Sequence, residues 1–130
     1  MTTAIDLLRC ICTHLAEFEL PALWSVDVTT SSGGTVNAQL ACHQPPEIAA
    51  GLLAWADTLS EITAESWRLP SGDSIRLSVI GQLPSEITIR VYGGVPFTGH
   101  DIGADLAPGT HTTVPLAALR TMATREEATI

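Results

Sequence analysis

The sequence predicts an α+β fold: a two-layer sandwich in which an antiparallel β-sheet of about five strands carries two helices on one face. Two segments show apolar residues at helical spacing, and five show strict or partial alternation of apolar and polar residues, which is typical of half-buried strands. Clusters of Gly, Pro, Ser and Asp separate these segments. The expected order of elements is therefore αββαβββ.

The first helix is predicted over residues 3–19. Leu7, Ile11 and Leu15 fall on one broad apolar side, and polar residues fall on the other. Pro21 prevents the helix from continuing.

Residues 23–41 predict a β-hairpin whose even-numbered apolar residues face the core. Residues opposite each other across an antiparallel pair lie on the same face, so even positions must oppose even positions. A loop of four residues joining Thr30 to Thr35 would break this rule. We expect a connection of three or five residues, with Gly33 or Gly34 left-handed and a bulge nearby.

A second helix is predicted from Pro45 to near Ser60, because proline is tolerated in a first turn. Its buried stripe comprises Ile48, Leu52, Trp55 and Leu59. Three strands follow, at Thr63–Leu69, Ser74–Gly81 and Glu86–Tyr92. In the last two strands, matching the apolar faces predicts the pairs Val79 with Ile87, Leu77 with Ile89 and Ile75 with Val91.

The composition changes after Gly94. Residues 95–114 are rich in Gly, Pro, Thr and Asp without a sustained period, so residues 1–94 are predicted as one α+β domain and residues 95–130 as a loop or tail. A final helix over residues 115–127 is compatible with the pattern, although its apolar side is narrow, which indicates that the helix is either loosely docked or frayed.

The charge and the cysteines narrow the classes of function. The net charge is −8, and an acidic surface disfavours binding to nucleic-acid backbones. All six basic residues are arginine. No apolar run approaches the length of a membrane span, and the N-terminus lacks the basic residues of a secretion signal. Three cysteines in such a chain indicate reduced thiols. We expect a cytoplasmic protein that binds neither nucleic acid nor membrane.

Motifs for catalysis or cofactors are missing from the sequence. It holds no G-x-S-x-G, P-loop or H-E-x-x-H motif, and His100 and His111 fall in the predicted tail, where no rigid frame would orient a catalytic pair. Cys10 and Cys12 point about 160° apart on a helix, so they cannot share a metal. A two-helix metal site is conceivable only from Cys10, His14, Cys42 and His43, and the paired spacings of zinc sites are absent. We expect no cofactor and no metal, and an activity that is not enzymatic.

The polar face of the last three strands carries the most specific feature. The predicted register places Arg76 opposite Arg90 and, with a three-residue turn, Arg68 beside Arg76, with Tyr92 flanking the row. Like charges in direct opposition destabilise a sheet by up to about 1 kcal/mol per pair. Asp27, Glu65 or Glu86 could compensate as ion-pair partners; alternatively, the row binds an acidic partner surface, such as a second copy of this protein.

Three tryptophans, Trp24, Trp55 and Trp67, follow the inward pattern of their elements and are predicted as core anchors.

The runs Leu52-Leu53-Ala54-Trp55-Ala56, Pro70-Ser71-Gly72-Asp73 and Leu77-Ser78-Val79-Ile80-Gly81-Gln82-Leu83 resemble a group of small actinobacterial proteins. The resemblance covers residues 20–95 and rests on structural motifs. It implies a helper protein, from a mobile element or a developmental locus, and it transfers no catalytic residue.

These observations favour a non-enzymatic protein-interaction module, a homodimer that presents its polar sheet face or its tail. Two alternatives stay open. One is an acidic immunity or antagonist protein that neutralises a basic partner. The other is a small ligand-binding domain or enzyme with a pocket between the helices and the sheet.

Overall fold

Three helices and six strands make up the part of the chain that the computed structural model describes, residues 3–31, 34–42, 44–98 and 102–124. The elements are α1 (Ala4–Glu17), β1 (Leu23–Thr29), β2 (Thr35–Leu40), α2 (Pro45–Ala56), β3 (Ser60–Arg68), β4 (Ser74–Leu83), β5 (Ile87–Pro96), β6 (His111–Val114) and α3 (Leu116–Thr124). The predicted α+β class and two-layer arrangement are confirmed. The sixth strand and the third helix lie within the segment predicted as a tail.

The six strands form one sheet in the order β1-β2-β5-β4-β3-β6. Four neighbouring pairs are antiparallel, but β2 and β5 are parallel, with Ala38 beside Val91. The prediction of a wholly antiparallel sheet is therefore wrong at this pair. The connection from β2 passes through α2 and the β3–β4 hairpin before the chain returns, so β5 enters the sheet in the direction of β2.

One face of the sheet is buried beneath the helices. Even-numbered residues of β2 and odd-numbered residues of β4 and β5 supply it, because successive side chains in a strand point to opposite faces. The residues of these strands that are entirely buried are Val36, Ala38, Leu77, Val79, Ile89 and Val91. The predicted inward faces of all three strands are confirmed.

Helix α2 lies against the centre of this face. Ile48, Leu52 and Trp55 are fully buried, as their spacing predicts. Ile48 packs directly on Gly93 of β5, where a Cβ would lie 2.8 Å from Cγ2 of Ile48. Only glycine allows the helix to approach the strand this closely.

The β1–β2 hairpin has the predicted parity. Val28 pairs with Val36 and Thr29 with Thr35, so five residues connect the strands. Gly34 has a φ of 99°, the left-handed conformation expected at one of the two glycines. The register shift lies at the start of β1, between Leu23 and Ser25, and not beside the turn.

The prediction that the tryptophans anchor the core is confirmed for one of the three. Trp55 is fully buried on α2, but Trp24 is 73% exposed, and Trp67 is half-buried on the sheet face away from the helices. The core prediction is wrong for Trp24 because this residue is the extra one at the register shift, which leaves Leu23 to pair with Leu40. It is wrong for Trp67 because Ala64 and Ser66 take the inward positions of β3.

The C-terminal segment joins the same sheet and core. Strand β6 pairs antiparallel with β3, and α3 packs along α2, with Leu119 and Met122 buried. The helix compatible with residues 115–127 is present over Leu116–Thr124, and the remaining predicted positions lie outside the described residues.

Helix α1 begins with a capping box in which Thr3 and Asp6 exchange side-chain and backbone hydrogen bonds. These bonds lower the pKa of the exposed Asp6 carboxyl. Leu7 and Ile11 are buried, whereas Leu15, predicted on the same apolar side, is 37% exposed. None of the helices in the described ranges is long and apolar enough to cross a membrane.

His14 joins α1 to α2. It is 1% exposed, and its ring lies 5.7 Å from the Trp55 ring in a stacked orientation. Its Nε2 lies 2.7 Å from Oγ1 of Thr58, whose hydroxyl hydrogen is donated to the Trp55 carbonyl at 2.8 Å. A hydroxyl has one hydrogen, so Nε2 must be the donor and Nδ1 must carry a lone pair. Nδ1 has no hydrogen-bond partner among the described residues.

Burial lowers the pKa of His14 below its ordinary value of 6.5, and this effect outweighs the attraction of the Glu17 carboxylate. The folded state therefore binds the proton less readily than the unfolded chain. The stability that His14 contributes should be present above about pH 6.5 and be lost as the pH falls through the lower folded-state pKa. The slope cannot exceed about 1.4 kcal/mol per pH unit for one proton.

Urea unfolding between about pH 8 and pH 5 measures this loss. His14→Phe should flatten the pH dependence of the free energy of unfolding, because an aromatic ring still occupies the site but does not titrate. His111→Gln, at an exposed position of β6, is the matched control and should keep the dependence. Equal pH profiles for the wild type and His14→Phe would show that this interpretation is wrong.

Candidate functional site

The sheet face turned away from the helices, which we call the outer face, carries a polar groove. Five strands supply its lining, and the groove encloses about 520 Å³. We call it the arginine groove; its residues are Asn37, Glu65, Trp67, Arg76, Ser78, Arg90 and His111. Because strand side chains alternate, these groups are the outward neighbours of the buried core residues.

The register of the β4–β5 hairpin differs from the prediction. Val79 pairs with Val91, and Ile75 pairs with Val95, so each predicted partner is displaced by four residues. Both strands are longer than expected. A short 3₁₀ turn, Pro84–Glu86, joins them and places Leu83 opposite Ile87. The displacement is even, so the faces are correct although the pairs are wrong.

Arg76 and Arg90 consequently do not oppose each other, and that part of the prediction is wrong. Arg76 lies opposite Gly94, and Arg90 lies opposite Ile80. The structure avoids the like-charge pair that the predicted register would have created. Both arginines still belong to the outer face.

Arg68 does not belong to the predicted row. It pairs with Ile75 at the end of β3 and therefore lies on the helix side of the sheet. Its guanidinium sits 3.6 Å from the centroid of the Phe97 ring, and it donates hydrogen bonds to the carbonyls of Gly72 at 3.1 Å and Leu106 at 2.8 Å. The turn between the paired Leu69 and Ser74 has four residues and not the three that were predicted. Arg68 therefore faces the opposite side of the sheet from Arg76. Arg68 is thus a clamp between two loops and β3.

Two aromatic rings hold the guanidinium of Arg76. Its Cζ lies 4.6 Å from the centroid of the Tyr92 ring and 5.3 Å from that of Trp67. Such cation–π contacts contribute about 0.5–1 kcal/mol each at exposed sites and restrict the side chain. Among the residues that the structure describes, no carboxylate forms an ion pair with Arg76.

Arg90 has a carboxylate partner within the groove. Its Nη1 lies 3.6 Å from Oε1 of Glu65, and both side chains are partly exposed, at 41% and 28%. The outer-face prediction named Glu65 as one of three partners for the row, and this one is confirmed for Arg90. The distance exceeds that of a charge-assisted hydrogen bond, about 2.7–2.9 Å, so the pair is loose.

Ser78 marks the point toward which both arginines extend. It lies on β4 between Tyr92 of β5 and Glu65 of β3, and it is 3% exposed. Arg76 leans over Tyr92, and Arg90 reaches across β4 to Glu65. Two guanidinium groups therefore approach one region of a protein whose net charge is −8. This arrangement suits planar anionic groups, which arginine binds through paired N–H donors.

Two of the metal candidates of the sequence, Cys10 and His14, line one cleft beside α1, and Cys42 is not among the lining residues of that cleft. Cys10 lies on α1 with its Sγ 3.5 Å from the Pro84 carbonyl, His14 bonds Thr58, and Cys42 precedes α2. His43 lies outside the described residues. Burial raises the pKa of both the Cys10 and the Cys42 thiols, which lowers the fraction present as the nucleophilic thiolate at neutral pH. No group of three or more candidate ligands within the described ranges could hold a metal ion.

Three groove residues were not predicted from the sequence to lie on this surface: Asn37, Trp67 and His111. Asn37 neighbours Arg90 only through the parallel β2–β5 pair, and His111 reaches the groove only through β6. His100, which was considered with His111, lies outside the described residues. The pairing of Ala64 with Val79 could have shown which way Trp67 points. Both of these residues face the core, so Trp67, three positions after Ala64, faces the other side of the sheet.

Arg68→Met should lower the free energy of unfolding by about 2 kcal/mol, because it removes charged donors to two backbone carbonyls. Urea denaturation measures the change. Arg120→Met, at an exposed position of α3, is the same substitution and should shift stability by less than about 0.5 kcal/mol. Equal effects of the two variants would argue against the clamp.

Comparison with family models, curated proteins and solved structures found no match to this chain. The resemblance to small actinobacterial proteins therefore stays a prediction.

Proposed function

We propose that the protein is a non-enzymatic interaction module that binds an acidic segment of a protein partner in the arginine groove. The observation that supports this most directly is Arg76, which two rings position on the outer face and which has no ion-pair partner in the described part of the chain. A guanidinium held in place loses little side-chain entropy when a carboxylate binds.

The charge distribution favours an acidic ligand at this face and a basic one elsewhere. Fourteen acidic residues outnumber six basic ones, and two of those six line the groove. An acidic segment is repelled by most of the surface and attracted here, which fixes its position and orientation. The antagonist alternative, in which a basic partner is neutralised, would have to use surfaces other than this groove.

A second copy of this chain is the partner we propose first, because its own surface supplies carboxylates. The proposed setting is the cytoplasm, where thiols stay reduced, since Cys10, Cys12 and Cys42 are all free. Native mass spectrometry of the purified protein separates self-association from the binding of a foreign partner.

A pocket on the helix side supports the ligand-binding alternative more weakly. A cleft of about 490 Å³ lies between α1 and the β4–β5 turn, and Cys10, His14 and Pro84 are among the residues that line it. Its lining carries charges of both signs, from Asp6, Arg9 and Glu17, and only one arginine, whereas the arginine groove has two.

Arg76→Gln should weaken the binding of a hexaglutamate peptide by about tenfold at low salt, because a charged hydrogen-bond donor is lost. Isothermal titration calorimetry measures the affinity. Raising the salt concentration should weaken wild-type binding, since the groove is open to solvent.

Arg120→Gln is the matched control: it makes the same charge change at an exposed site on the helix layer and should leave the affinity within about twofold. If the wild-type protein fails to bind the peptide, or if both variants weaken it equally, the groove is not the docking surface.

A further inference from the structure

Glu65 occupies the position in the arginine groove that an incoming carboxylate would take. We infer that Glu65 is an internal competitor that holds Arg90 in the absence of a ligand and is displaced when an acidic segment binds. This inference rests on the proposed function and adds to it a residue that sets the selectivity of the groove.

The contrast between the two arginines of the groove carries the inference. The contacts of Arg76 are with the rings of Trp67 and Tyr92, and no carboxylate among the described residues forms an ion pair with it. Arg90 instead faces the Glu65 carboxylate at 3.6 Å. The groove thus contains one cation open to an anion and one already facing an anion of the same chain.

The path of the Arg90 side chain shows that this pairing spans the groove. Arg90 lies on β5 and Glu65 on β3, with β4 between the two strands. To approach the Glu65 carboxylate, the Arg90 guanidinium must extend over β4 near Ser78, the residue that pairs with Glu65 across the β3–β4 ladder. A ligand that contacts both arginines must therefore displace the Glu65 carboxylate from Arg90.

The weakness of the ion pair makes displacement inexpensive. Both side chains are partly exposed, and exposed pairs contribute little to stability after screening by water and salt. A ligand carboxylate that binds Arg90 in bidentate geometry replaces a loose pair by a closer one. A ligand with a single carboxylate binds at Arg76 without disturbing Glu65, so two or more carboxylates are needed to use the whole groove.

Glu65→Gln should tighten the binding of hexaglutamate by roughly fivefold, because it frees Arg90 and removes a repelling charge. Glu65→Asp keeps the charge but shortens the side chain, and it should tighten binding by a smaller factor. Glu19→Gln makes the same charge change at an exposed site after α1 and should leave the affinity unchanged. Titration calorimetry at one salt concentration measures all the affinities.

The decisive comparison repeats Glu65→Gln in an Arg90→Gln background. If Glu65 competes for Arg90, most of the gain disappears there, because Arg90 is no longer available to the ligand and only the relief of charge repulsion remains. A gain of the same size in both backgrounds, or no gain in either, overturns the inference while leaving binding at Arg76 intact. If neither the wild type nor Glu65→Gln binds the peptide, the inference and the proposed function fail together.

Discussion

The burial of one sheet face beneath the helices is the constraint on which the rest of this structure depends. Val79 and Val91 pair at the centre of that face and are fully buried. Side chains alternate along a strand, so fixing these two inward forces their neighbours outward. Ser78, Tyr92 and Arg90 reach the outer face for this reason. The composition of the groove is thus a consequence of the packing of the core.

The open outer face gives the arginines an environment that a covered face would not allow. A guanidinium buried beneath a helix would need full pairing, since an unpaired buried charge is strongly destabilising. Arg68, which is half-buried on the helix side, has two carbonyls and a ring as partners. Arg76 and Arg90 remain accessible to water, so ring faces and one loose carboxylate suffice to position them. The two sides of the sheet therefore use arginine for different purposes.

The positions of α1, α2 and the first five strands could be predicted approximately from the sequence, because local periodicity reports which residues face the core. The inward faces of β2, β4 and β5 follow from this pattern alone. The β4–β5 register could not be derived in the same way: any even displacement preserves the faces, and only the turn at Pro84–Glu86 decides among them. Trp24 shows the same limit, because one extra residue at a register shift reverses the side to which a tryptophan points.

The sequence by itself determined the fold class, the hydrophobic faces and the presence of Arg76, Arg90 and Tyr92 on one polar surface. Tertiary structure alone decided the parallel β2–β5 pair, the addition of β6 and the convergence of both arginines near Ser78. The physical reason is that periodicity is a property of consecutive residues, whereas strand order depends on which distant segments pair with each other by backbone hydrogen bonds. Strand β6 illustrates this point: of its four residues only Val114 is buried, so its pattern carried no signal until β3 supplied a partner.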